Sequence, residues 1–121
     1  MKFLLADDSS IPRDYARRIV TRMKHEVVFL ASNGKEAVDW ARAYPFGIDV
    51  AILDISMPVM TGTEAARIFI AEKLATYTLI ASSNSQRALV MEMEKIGAGF
   101  IAKPYEPEQM QSHIRRYVPN A

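Results

Sequence analysis

The chain has 121 residues, half of them apolar and 24% charged, with a formal net charge of +1 at pH 7. This suits a single domain over residues 1–121 that buries roughly two-thirds of its unfolded surface, and near-neutrality argues against nucleic acid or an anionic membrane as partner. The absence of cysteine excludes a disulfide framework and a thiolate metal site, and no signal-like or membrane-length apolar stretch occurs, so a cytoplasmic location is expected.

In chain order, short apolar runs alternate with longer segments of helical period, the pattern of βα units around a parallel sheet. Phe3 to Ala6 reads as the first strand. Ile11, Tyr15, Ile19 and Met23 then recur every four residues as the buried stripe of a helix, with Ser9 or Ser10 as cap and Pro12 in its first turn. Val27 to Leu30 is a second strand, and Asn33-Gly34 turns into a helix with Ala37, Trp40, Ala41 and Tyr44 on its apolar face, stopped by Pro45. A third strand ends at Asp54, and a loop through Pro58 and Gly62 leads to a helix from about Thr63. The fourth strand, roughly Tyr77 to Ala81, precedes a helix carrying Leu89, Met93 and Ile96, with Gly97 as its C-terminal cap. Phe100 to Ala102 is the fifth strand. Pro107 opens a last helix with Met110, Ile114 and Tyr117 or Val118 inward.

The polar residues that follow the runs carry the chemistry. Asp7-Asp8 follow the first strand, Asp54 the third, Ser82-Ser83-Asn84 the fourth and Lys103-Pro104 the fifth. Parallel strands deliver all of them to one edge, where open α/β sheets bind ligands. Two unit charges about 4 Å apart repel by about 4 kcal/mol near a protein surface, so three carboxylates must take up protons, spread apart or bind a cation. Hard oxygen donors without His or Cys favour Mg²⁺, Mn²⁺ or Ca²⁺ over zinc. Such an arrangement suits phosphoryl transfer, and a carboxylate can itself become the phosphoryl acceptor.

With these motifs the whole chain resembles a response regulator receiver domain of two-component systems. Phe3-Leu4-Leu5-Ala6-Asp7-Asp8 matches the family's acidic pair, and Asp54-Ile55-Ser56-Met57-Pro58-Val59-Met60-Thr61-Gly62 matches the surroundings of its phosphorylated aspartate. Ser82 matches its hydroxyl residue, and Lys103-Pro104 its lysine with a usually cis proline. The resemblance implies a flavodoxin-like (βα)5 three-layer sandwich with strand order 2-1-3-4-5. It implies that Asp54 accepts phosphoryl from a histidine kinase or histidine phosphotransfer protein. Mg²⁺ (Mn²⁺ as substitute) would be held by Asp8, Asp54 and the Ser56 carbonyl, with Asp7 acting mainly through water. Ser82 and Lys103 would engage the phosphoryl group, with no classical enzyme activity. Phe100 matches the aromatic position that turns inward on activation, and is equally a core phenylalanine of its strand. The implied output is a downstream protein target or a fused output domain.

Four positions depart from the common pattern. The spacing from Gly97 to Lys103 is one residue short, Ser82 stands for the commoner threonine, Phe100 for tyrosine or histidine, and Tyr105 for phenylalanine. A switched surface is expected to include Gln86, Arg87, Met91, Glu94, Tyr105 and Gln109. Arg13, Arg17, Arg18, Arg22 and Lys24 against Asp14 make the first helix basic, either as a solvated face or as a dock for the phosphodonor protein. His25 and His113 read as surface residues without metal-ligand spacing. Three other readings stand beside the receiver: a haloacid-dehalogenase-like phosphohydrolase, which needs a second carboxylate where Ser56 stands; a flavodoxin, whose phosphate Asp7-Asp8 would repel; and a receiver-like module that works without phosphate.

Overall fold

Five strands pair in parallel in the order β2-β1-β3-β4-β5. In this computed structural model, which describes residues 1–83 and 87–121, they are β1 (Lys2–Ala6), β2 (Glu26–Ala31), β3 (Ile48–Asp54), β4 (Ala75–Ser82) and β5 (Gly99–Ala102). Between and after them run α1 (Ser10–Arg22), α2 (Gly34–Ala43), α3 (Gly62–Ala71), α4 (Arg87–Lys95) and α5 (Pro107–Tyr117). This is the flavodoxin-like architecture, with the strand order expected.

The central strands are unbroken apolar runs because both sheet faces are covered. Leu4, Ala6, Ala51, Leu53 and Ile80 face the layer of α2, α3 and α4. Their neighbours Phe3, Leu5, Val50, Ile52 and Leu79 face α1 and α5. Gly97, at φ +106, closes α4 as expected of a left-handed cap, its N–H donating to the Glu94 carbonyl.

The first helix differs from its expected stripe. Ile11 is 84% exposed and Tyr15 41%, while Ala16, Ile19 and Val20 form the buried face. The period of four was real, but the first turn of α1 rises beyond the sheet edge, where no core exists to cover it. Ser9 holds the N-cap position without a side-chain cap bond; its backbone N–H instead donates to Asp7 Oδ1 at 2.9 Å.

His25 is not a plain surface residue. Its ring stacks on Phe3 at 5.0 Å between centroids, and Nε2 is buried without a hydrogen-bond partner among the described residues. Burial, then the positive charges of the Met1 amino group and Arg115, hold its pKa below the usual 6.5, against the opposing pull of Asp49. An unfolded chain therefore takes up this proton first. The stability that neutral His25 contributes is complete above pH 6.5 and is lost as pH falls from there toward the lowered folded value. His25→Phe keeps the stack and removes the orphan nitrogen. In chemical denaturation at a series of pH values, the variant should gain on the wild type progressively below pH 6.5.

Candidate functional site

Strand register assembles the site. Ala6 pairs with Leu53, Asp54 with Ala81 and Ser82 with Ala102, so Asp7, Asp54, Ser82 and Lys103 emerge within one residue of a common level. Hydrogen bonding continues one step past the strands: Asp7 N–H donates to the Ala31 carbonyl, Ile55 N–H to Ala81 and Lys103 N–H to Ser82, at 2.9–3.0 Å. The Asp7 carbonyl also accepts from Arg13 Nη1 at 2.8 Å, a contact the sequence pattern did not announce.

The loop after β3 is held just as firmly. Gly62 N–H donates to the Ile55 carbonyl, and a Cβ at Gly62 would lie 1.9 Å from the Asp54 carbonyl oxygen, so only glycine lets α3 start against the strand end. Thr61 and Glu64 form a capping box there, readable in hindsight from the Thr-x-x-Glu spacing. Within the loop, exposed Val59 stands at φ +68, a region that strains β-branched side chains.

One carboxylate oxygen from each of Asp7, Asp8 and Asp54 lies within 4.8 Å of the other two. Asp7 and Asp54 are buried, and Asp8 is exposed. Lys103 is their common counter-charge, with Nζ 2.8 Å from Asp7 Oδ2 and 3.4 Å from Asp54 Oδ1. Burial is the largest influence on Asp54 and pushes its pKa up to about 6. Lys103 opposes this, and the charges of Asp7 and Asp8 add to it. Burial also disfavours the Lys103 ammonium, but the bond to Asp7 and the two carboxylate charges outweigh it and raise its pKa. Ser56, Ser82 and Ser83 complete the lining of a cleft of about 240 Å³ over these groups. Ser82 is buried at the end of β4.

The donors fit a hard divalent cation. They are carboxylates close enough to share one ion, one of them open to solvent, and their negative charges are what a cation would neutralise. The structure thus unites every residue expected at the site: Asp7, Asp8, Asp54, Ser56, Ser82 and Lys103. The Lys103–Pro104 peptide is cis. Phe100 is half-buried and packs against the core on the α4 side.

Beside the cleft lies a larger groove of about 930 Å³, lined by Ile11, Pro12, Tyr15, Arg18, Pro104 and Tyr105 among others. Tyr105, expected on a switched surface, is instead buried, with its ring 5.5 Å from Lys103 Nζ; burial drives its phenol pKa upward. Its phenylalanine-like role in packing under α1 and α5 has prevailed over its hydroxyl. Arg87, Met91, Glu94 and Gln109 are exposed as expected, while Asn84 and Gln86 lie outside the described residues. Arg17 and Arg18 both pair with Asp14, at 2.7 and 3.0 Å, and Arg18 is the more exposed.

A doubly wound parallel sheet with a metal-competent acidic edge and a facing lysine defines a class of α/β proteins whose site lies at the carboxyl ends of the strands. Within it, the chain belongs to the response regulator receiver domain family, whose model matches residues 3–115. It is 32% identical over 117 residues to chemotaxis protein CheY of Thermotoga maritima, covering 95% of each chain. It is 34% identical over 118 residues to chemotaxis protein CheY of Listeria monocytogenes, covering 96% of this chain and 97% of that one. Its fold superposes with a TM-score of 0.87 on a chain of the CheX–CheY–BeF3–Mg²⁺ complex of Borrelia burgdorferi, at 27% identity, covering 96% of this chain and 87% of that one. The chain is therefore a receiver domain of two-component signalling, a family of signalling proteins. No helix among the described residues is long and apolar enough to cross a membrane.

Because folding disfavours ionised Asp54, Asp54→Asn should raise the metal-free melting temperature at pH 7.5 by roughly 4 °C, the shift that about 1 kcal/mol produces in a domain of this size. Mg²⁺ should raise the wild-type melting temperature and leave Asp54→Asn and Asp8→Asn nearly unmoved in differential scanning fluorimetry.

Proposed function

We propose that residues 1–121 form one receiver unit that accepts a phosphoryl group on Asp54 in a Mg²⁺-dependent reaction and thereby switches a protein-binding surface. The observation that carries this reading is the convergence of Asp54 with Asp8, Asp7 and Lys103 on one strand edge. A family relative solved in a complex with BeF3 and Mg²⁺ supports the same chemistry.

Asp8, Asp54 and the Ser56 carbonyl would hold the cation, with Mn²⁺ as a substitute; Asp7 would act through water, and it bonds Ser9 and Lys103. The bound cation supplies neutralisation of charge between the carboxylates and the phosphoryl oxygens. An Asp54 carboxylate oxygen attacks phosphorus as the N–P bond of a phosphohistidine breaks, the bonding pair returning to the imidazole nitrogen. Lys103 turns from Asp7 toward the new phosphoryl oxygens, and the Ser82 hydroxyl donates to another. Water later cleaves the acyl phosphate and restores Asp54.

Ser82 moving toward phosphate opens space for Phe100 to turn inward, which shifts the face of α4, β5 and α5 where Arg87, Met91, Glu94 and Gln109 are exposed. A downstream protein or a fused output domain reads that face in the cytoplasm, without direct nucleic-acid or membrane contact by this domain. The phosphodonor is a histidine kinase or histidine phosphotransfer protein. It docks on the groove beside the cleft, with apolar side chains against Ile11 and Tyr15 and acidic ones against Arg18.

Intact mass after incubation with Mg²⁺ and acetyl phosphate should show one added phosphoryl group on the wild type and none on Asp54→Asn. If rapid turnover hides the adduct, beryllofluoride should give a Mg²⁺-dependent spectral change. Silence in both would leave a receiver that works without phosphate. Paired charge reversal, Arg17→Glu with Arg18→Glu, should slow transfer from the protein donor at least about tenfold, the weight of a typical interface hot spot, and leave acetyl phosphate unaffected. Equal slowing with both donors would remove docking as the explanation.

A further inference from the structure

β5 is the last strand of the sheet, and its outer side has no neighbouring strand among the described residues. Lys103 donates its N–H inward to the Ser82 carbonyl, so by strand alternation the preceding Ala102 N–H points outward, to the open edge. That amide finds an acceptor from another element: Nδ1 of His113 on α5, at 3.3 Å. The same imidazole lies 6.4 Å from the Phe100 ring, tilted by 37°. His113 is half-buried, not the plain surface residue that the sequence suggested.

We propose that His113 is a positioning residue for Lys103, and that it couples the Phe100 ring to α5. This inference rests on the phosphoryl-acceptor reading of Asp54. Backbone bonds clamp the end of β5 from both sides, to Ser82 on β4 and to His113 over the open edge. The next residue carries the ammonium that faces Asp7 and Asp54. Loss of the outer bond frees the strand end to fray and misplaces Nζ, and positional errors of this kind are expensive in phosphoryl transfer. The bond is long, so its effect is at the modest end for a single hydrogen bond. A rotation of Phe100 changes what the His113 ring touches, which gives α5 a direct contact with the switch.

The geometry also states what can replace His113. Only a side chain with an acceptor near the Nδ1 position serves Lys103, and only a ring serves Phe100. His113→Asn keeps the first and loses the second, His113→Phe does the reverse, and His113→Ala loses both.

Phosphorylation by acetyl phosphate at saturating Mg²⁺ should slow by about two- to tenfold in the Phe and Ala variants and stay near wild type in the Asn variant. In parallel, the Ala102 amide should exchange with deuterium more slowly in wild type and Asn than in Phe and Ala. Equal rates in all four proteins, an Asn variant as slow as Ala, or losses that follow melting temperature would overturn the positioning role. The exchange measurement needs no phosphate. A wild type that takes up no phosphoryl group, yet shows the exchange pattern, would sink the acceptor reading and leave the His113 clamp; an Ala102 amide equally unprotected in all four would sink the clamp alone.

Discussion

Mutual repulsion among three carboxyl groups at the carboxyl edge of the sheet is the interaction on which this molecule turns. Nothing local requires the Asp7-Asp8 pair and Asp54 to be neighbours. Parallel pairing of β1 with β3 brings them together, and buried backbone bonds on either side prevent them from separating. One ammonium, Lys103, opposes them through two contacts of unequal length. Burial, with the charges of Asp7 and Asp8 added to it, outweighs Lys103 and raises the pKa of Asp54. A hard divalent cation would answer that electrostatic demand directly.

The two sheet faces are built differently around that edge. α1 and α5 cover one face with Ile19, Val20, Met110, Ile114 and, just after α5, Val118 fully buried, and the start of α1 with Pro104 and Tyr105 lines an apolar groove beside the cleft. On the other face α2 and α3 are firmly seated, whereas α4 buries only Met93 completely. Segments with few buried contacts open at the lowest free energy. The least anchored helix, α4, packs against β5.

Much of this was legible in the chain because both causes are local. Runs such as Val50-Ala51-Ile52-Leu53 read as strands covered on both faces, and once they pair in parallel the polar residues at their ends meet at one edge. Three features were not legible. The Ile11 and Tyr15 periodicity is indistinguishable from a core stripe until the height of α1 relative to the sheet is known. Tyr105 has a polar tip in the sequence but lies in a space shaped for a ring between α1 and α5. His113 has no motif at all, since its partner is a backbone amide 11 residues away that is available only because β5 ends the sheet.

By itself the sequence determined the class of fold, the edge at which polar side chains gather and which of them gather there, because apolar runs and their polar terminators are properties of each segment alone. Tertiary structure decided how those residues share their charges. Lys103 approaches Asp7 more closely than Asp54, Asp7 is buried while Asp8 is open, and the end of β5 is clamped by an imidazole from α5. These are relations between segments far apart in the chain, fixed by register and helix packing, and distances of that kind set electrostatic energies.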